Sequence, residues 1–252
     1  TTKLSLRNTD TNMPVKKKTK APGQGMTAKQ MKRRKPISQD YMLPIEPLTD
    51  NQKVMFDAWD EGKMIYAYGV AGTGKTFVAL YKALKEVLDD YSPYEKIYIV
   101  RSLVATREIG FLPGDHEDKS SLYQIPYKNM VQAMFEMPDD NSYEMLYDNL
   151  KAQETISFWS TSFIRGTTLD NSIVIIDECQ NLNFHELDSI ITRVGQDSKI
   201  IFCGDAAQTD LQKISERTGI IDFQRILQNM EEFSMIEFGI EDIVRSGLVK
   251  SY

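Results

Sequence analysis

Cysteine and histidine are scarce: two of each in 252 residues. Cys179 and Cys203 are too few for a disulfide framework, so a reduced, cytoplasmic setting is the plain reading. They fall at the ends of two apolar runs and read as small buried packing residues. With only His116 and His185 beside them, neither a Cys/His zinc site nor histidine catalysis has support. Long apolar runs are missing too. The longest span five residues, Met64–Tyr68 and Phe77–Tyr81, whereas a membrane-spanning helix needs about 20. No spanning segment is expected, and no apolar signal-peptide core follows the N-terminus. No internal repeat is visible.

Net charge is −6, but it is unevenly spread. Residues 1–40 carry eleven basic and two acidic side chains, which leaves −15 on the remainder. That first segment is rich in Lys, Thr, Gly, Pro and Met and sustains no apolar period. It reads as a basic tail, disordered in isolation. Its chemistry suits phosphate backbones, because each Lys or Arg set against a phosphate releases counterions. A solubilising tail is the plainer alternative.

From Tyr41 onward the pattern becomes globular. Residues 50–61 read as a helix with Val54, Met55 and Trp59 on one side. Short apolar strands are expected at 63–68, 96–100, 172–176 and 199–203, with a last one at 233–238. A helix of about 14 residues follows the first strand, with Phe77, Leu80, Leu84 and Val87 at helical spacing. Another carries Leu187, Ile190, Ile191 and Val194, with Asn183 and Glu186 placed for a capping box. Residues 105–160 are less regular and read as a partly helical insertion. Strands alternating with helices imply an α/β domain over 41–252, a mostly parallel sheet flanked by helices.

The segment Gly69-Val70-Ala71-Gly72-Thr73-Gly74-Lys75-Thr76 fits G-x-x-x-x-G-K-[ST]. A chance match in a chain of this length is about 1% at ordinary residue frequencies. It also lies between a strand and a helix, the context this loop requires. Its glycines let backbone N–H groups turn toward phosphate oxygens, and the helix N-terminus adds its positive end. Lys75 would reach the outer phosphates and the Thr76 hydroxyl would ligate Mg²⁺. Asp177 and Glu178 close an apolar strand. Asp177 would ligate the magnesium or stand one water away from it, and Glu178 would polarise an attacking water. A small-molecule kinase has no use for that second acid. Gln208, in Gly204-Asp-Ala-Ala-Gln208, would sense the γ-phosphate or orient the water. Gln52 lies 17 positions before Gly69 and could read an adenine edge. Arg245 is a candidate arginine finger, with Arg165 and Arg193 as others.

Together these residues resemble the PhoH-like family, single-domain relatives of superfamily 1 helicases. The resemblance covers roughly residues 45–250. Besides Gly69–Thr76 it rests on Leu112-Pro-Gly-Asp115 with Lys119, Pro126-Tyr127 and Ile164-Arg-Gly-Thr-Thr-Leu169. It continues through Asp177-Glu-Cys-Gln-Asn181, Thr192-Arg-Val-Gly195, Gly204–Gln208 with Asp210-Leu211, and Asp242-Ile-Val-Arg245. It implies a RecA-like P-loop NTPase, a link by name to phosphate starvation, action on RNA or single-stranded DNA, and a hexamer. The chain departs from the family in three places. Ser102 stands where Pro is usual after Arg101, Cys179 where Ala is common, and Ser120–Ile125 read as inserted.

The expected function is therefore an ATP-binding, Mg²⁺-dependent ATPase that depends on RNA or single-stranded DNA and resembles a helicase. About 200 residues supply one RecA-like domain, so a neighbouring chain is expected to cover the nucleotide, making a homo-oligomer. An ATP-dependent switch that recruits a partner protein is the main rival, and a P-loop kinase the lesser one. Stimulation of hydrolysis by polynucleotide separates these readings. No membrane partner is expected.

Overall fold

The computed structural model describes residues 37–101, 116–164, 166–205 and 214–244. Helix α1 (Asp50–Asp60) is capped by Thr49, whose side chain accepts from the Gln52 amide. Strand β1 (Met64–Gly69) and helix α2 (Lys75–Val87) flank the glycine loop. Strand β2 (Lys96–Arg101), helices α3 (His116–Gln132) and α4 (Asp140–Ala152), and strand β3 (Ile156–Ser160) follow. The short helix α5 (Thr161–Ile164) leads on to strand β4 (Ser172–Asp177). Next come α6 (Phe184–Ile191), β5 (Lys199–Gly204), α7 (Ile214–Gln228) and β6 (Phe233–Phe238).

The six strands form one sheet in the order β3-β2-β4-β5-β1-β6. Every neighbouring pair is parallel. Successive side chains leave a strand on opposite faces, and here both faces are covered. Ile65, Ala67, Ile97, Ile99, Ile173, Ile175, Ile201 and Ile236 pack toward Met55 and Trp59 of α1, Leu80 and Leu84 of α2, and Tyr127 and Val131 of α3. Tyr66, Val100, Val174, Ile176, Ile200 and Phe202 pack toward Leu187 and Ile190 of α6 and Phe223 and Leu227 of α7. This is why the inner strands β1, β2, β4 and β5 read as continuous apolar runs rather than alternating ones. The architecture is the RecA-like α/β sheet expected, with helices on both faces.

Three details differ from the sequence reading. Strand β3 lies inside 105–160 and was not anticipated; it is an edge strand of five residues, paired only with β2. Val54 is exposed, whereas Met55 and Trp59 are buried as expected. Val194 lies beyond the end of α6, where it bridges to Leu169. The Asn183/Glu186 capping box is present. No helix among the described residues is long and apolar enough to cross a membrane.

A parallel sheet sends all its strand C-termini to one edge. Gly69, Arg101, Asp177, Gly204 and Phe238 therefore end side by side, and ligands of such sheets bind at that edge.

Candidate active site

The glycine loop leaves β1 where Gly69 touches β6. Gly69 has φ 121°, and a Cβ there would lie 2.1 Å from the Phe238 carbonyl oxygen. The Val70 amide donates to that same carbonyl at 3.0 Å. Gly72 and Gly74 also take positive φ, 80° and 82°. Gly74 stands at the N-cap of α2 with no side-chain cap, so the first amides of α2 face the cleft with their positive end uncapped.

Lys75 is buried, at 8% exposure. Its ammonium donates to the carbonyl oxygens of Val70 (2.7 Å) and Gly69 (3.2 Å) and to Thr73 Oγ1 (3.2 Å). An ammonium has three donors, so the loop's own acceptors take them all. Burial lowers the pKa of this lysine, and the acids Asp205, Glu178 and Asp177 oppose that shift.

Thr76 Oγ1 donates to Asp177 Oδ1 at 2.7 Å, joining α2 to the end of β4. The second oxygen, Oδ2, accepts from the Tyr127 hydroxyl of α3 at 2.5 Å. Glu178 follows in a left-handed conformation, φ 53°. Non-glycine residues held there concentrate at working sites. Its carboxylate accepts from Gln180 Nε2 at 2.6 Å and stands 4.0 Å from the Arg101 guanidinium. Gln180 Oε1 in turn accepts from the Asp205 amide at 2.9 Å, so one amide side chain spans the ends of β4 and β5.

Gln52 lines the cleft and is bonded to the backbone on either side of it. Its Oε1 accepts from the Leu48 amide (2.8 Å) and its Nε2 donates to the Thr73 carbonyl (2.9 Å). One amide hydrogen and one lone pair remain for a ligand. Ala71, Gly72, Thr73, Gly74, Thr76 and Glu178 are among the residues lining a cleft of about 610 Å³, within the usual size of a cofactor site.

The geometry brings Gln52, Gly69–Thr76, Asp177 and Glu178 together. Gln208, Arg245 and Arg165 lie outside the described residues. Arg193 follows α6 near the start of β4, where its carbonyl accepts from Leu169. That is the sheet end opposite the loop in its own chain. Its Nε is buried without a hydrogen-bond partner among the described residues. Sequence reasoning gave no role to Arg101, Tyr127, Gln180 or Asp205. Arg101 was traceable as the last residue of β2, paired in register with Asp177. Tyr127 and Gln180 are polar side chains whose neighbours only the fold supplies. Both thiols are buried and free, and burial pushes the Cys179 thiol up to about 12.

Parallel sheet, glycine loop and paired acids at one edge define a P-loop nucleotide-binding protein of the RecA-like type. Residues 44–252 match the family described as PhoH-like protein. The chain belongs to that family. It is 32% identical over 206 residues to a PhoH-like protein of Mycobacterium leprae, covering 81% of this chain and 56% of the relative. It is 32% identical over 210 residues to a PhoH-like protein of Bacillus subtilis, covering 80% and 60%. The chain thus spans little more than half the length of these relatives. Among solved structures, an unliganded Pif1 from Bacteroides is similar over 80% of this chain and 43% of its own, with TM-score 0.39 and 15% identity.

Proposed function

We propose that this chain is an ATP-binding, Mg²⁺-dependent NTPase that hydrolyses the γ-phosphate, with turnover dependent on single-stranded RNA or DNA as in a helicase-like motor. The observation that carries the reading is the convergence of Lys75, Thr76, Asp177 and Glu178 on one cleft from the start of α2 and the end of β4.

The residues fit magnesium. Thr76 and Asp177 present hard oxygen donors 2.7 Å apart, and no larger cluster of His, Cys, Asp or Glu that could cage a metal occurs among the described residues. Mg²⁺ is characteristically held by one or two such protein oxygens together with substrate phosphates. When bound, it would neutralise charge on the β- and γ-phosphates.

The chain's own residues do the rest. Loop amides and the α2 N-terminus hold the phosphates, and Lys75 transfers its three donors from loop acceptors to phosphate oxygens. Glu178 accepts a proton from the attacking water, held in aim by Gln180 and Arg101. Gln208 orients that water or senses the γ-phosphate, and Gln52 reads the base. The kinase alternative is disfavoured by Glu178, whose placement serves a water nucleophile.

The basic 1–40 segment supports the nucleic-acid part of the proposal, and the two buried free thiols support a reduced, cytoplasmic setting. Leu48 and Val244 line the cleft and are exposed, at 76% and 42%. Such an apolar rim supports a neighbouring chain covering the nucleotide in a homo-oligomer, a hexamer by family resemblance, with Arg245 completing the site across the interface.

The test is the ATPase rate with and without single-stranded RNA and DNA, on a sample of known oligomeric state. Phosphate release that polynucleotide raises supports the reading. No release above background returns the chain to the class of ATP-dependent switches.

A further inference from the structure

Tyr127 has no part in the proposed chemistry, yet it holds one of the two oxygens of the cation-site carboxylate. It is 2% exposed. Its ring packs on Phe158 of β3 at 5.4 Å between centroids, and its hydroxyl donates to Asp177 Oδ2. It follows Pro126, which stands in the interior of α3. A proline there gives up a helical hydrogen bond and strains the turn before it. Pro126, Tyr127 and Met130 line the cleft, so the turn of α3 that carries the proline reaches the site.

A carboxylate rotates readily about its last torsion, because that torsion has no sharp wells. Asp177 is held against this rotation at both ends: Thr76 takes Oδ1 and Tyr127 takes Oδ2. The Arg101 guanidinium lies close enough to feel Tyr127, Asp177 and Glu178. Hydrogen bonds to the far side of a ligating carboxylate orient it and raise metal affinity.

Resting on the NTPase reading above, we propose that Tyr127 is a positioning residue: its hydroxyl sets the Asp177 carboxylate for a divalent cation, bound directly or through one water, and so ties helix α3 to cation loading. The consequence is local and testable. Cation with nucleotide fixes Asp177, Asp177 fixes Tyr127, and the turn of α3 that carries it becomes better ordered. Nucleotide without cation leaves that turn as it was.

The experiment uses the full chain, ADP and Mg²⁺. ADP affinity is measured by titration calorimetry in EDTA and over a Mg²⁺ series, for the parent and Tyr127→Phe. The variant keeps the ring on Phe158 and loses only the hydroxyl. Affinity in EDTA should stay within about twofold, while the Mg²⁺ concentration that gives half of the tightening rises roughly ten- to a hundredfold. Amide exchange in 123–132 is followed in parallel. In the parent, Mg²⁺ with ADP should slow exchange there more than ADP alone, a readout that needs no variant. In Tyr127→Phe that extra protection should vanish. A parent that shows Mg²⁺ enhancement beside a variant with the same midpoint and the same protection overturns the role of Tyr127 alone. A parent in which Mg²⁺ leaves ADP affinity unchanged overturns the cation site itself, and this proposal with it.

Discussion

The Lys75 ammonium donates to the Val70 carbonyl oxygen at 2.7 Å, so the lysine proposed to hold phosphate ties its own loop together. On the proposed reading, these loop acceptors are exchanged for phosphate oxygens when nucleotide binds. Lys75→Ala should therefore cost nucleotide affinity far more than fold. A charge-assisted hydrogen bond is worth about 1.5–3 kcal/mol, so ADP affinity should fall by roughly one to two decades. Calorimetric titration measures that loss. A thermal midpoint lowered by only a few degrees would show that the loop still folds.

Glu178→Gln should keep ADP binding within a few-fold and lower hydrolysis by roughly two to four decades. The amide fits the same left-handed backbone and still offers Gln180 an oxygen, but it accepts no proton from water. Phosphate release at the parent rate would remove Glu178 from the catalytic role. The EDTA-insensitive part of ADP binding serves as the control for folding.

Gly69→Ala tests the seam between the loop and the edge strand. A Cβ 2.1 Å from a backbone oxygen cannot be relieved by a side-chain rotation. Either Phe238 moves or β1 and β6 lose the register that pairs Gly69 with Phe238. The expected cost is about 3 kcal/mol or more in denaturant unfolding. Gly62→Ala is the matched control. Gly62 has φ +80° but nothing within 4 Å of a built Cβ, so only the left-handed penalty of about 1–2 kcal/mol applies. Equal losses at the two glycines would mean that the clash at Gly69 is absorbed elsewhere.

These tests fall on residues of unequal legibility. Strands β1, β2, β4 and β5 could be read because each carries four or five consecutive apolar residues, and the edge strand β6 because four of its six residues, Phe233, Met235, Ile236 and Phe238, are large and apolar. Strand β3 escaped because it is only five residues long, two of them Ser157 and Ser160, and lies within the irregular 105–160 stretch; only its pairing with β2 makes it a strand. Helix α3 was obscured by Pro126, which reads as a breaker. The loop Gly69–Thr76 was legible because its chemistry needs fixed residue types at fixed spacing. Asp177 and Glu178 were legible because two acids ending an apolar run need a reason. What Asp177 touches was not legible. Tyr127 lies 50 positions away in sequence, and no local pattern says that its hydroxyl ends on that carboxylate. The partners of Gln52 were equally illegible: its amide lines the cleft while bonding the Leu48 and Thr73 backbone.

Lys199 offers a test of burial far from the cleft, at the start of β5. It is 4% exposed, its ammonium donates to the Trp59 carbonyl at 3.0 Å, and it lies 4.5 Å from the centre of the Trp59 ring. The end of α1 is a favourable place for a cation. Burial still dominates and pulls the lysine down to about 8; Glu86 and Asp60 oppose the shift and Lys82 adds to it. The sign follows from proton counting. Between pH 8 and the ordinary lysine value near 10.4, the unfolded chain holds a proton that the folded chain has released. Stability then rises with pH. Below pH 8 both states are protonated and the cost of the buried charge is fully present. From pH 7 to pH 9 this one group should add about 1 kcal/mol to unfolding free energy. Lys199→Met keeps the volume of the stem and removes the titration. Denaturant unfolding of both proteins at pH 7, 8 and 9 isolates the effect, because groups that titrate in both cancel in the difference. The gap between parent and variant should move in the parent's favour as pH rises. A gap that stays constant across the three pH values would mean that Lys199 keeps an ordinary proton affinity, and that the Trp59 carbonyl, the ring and the helix end offset its burial in full.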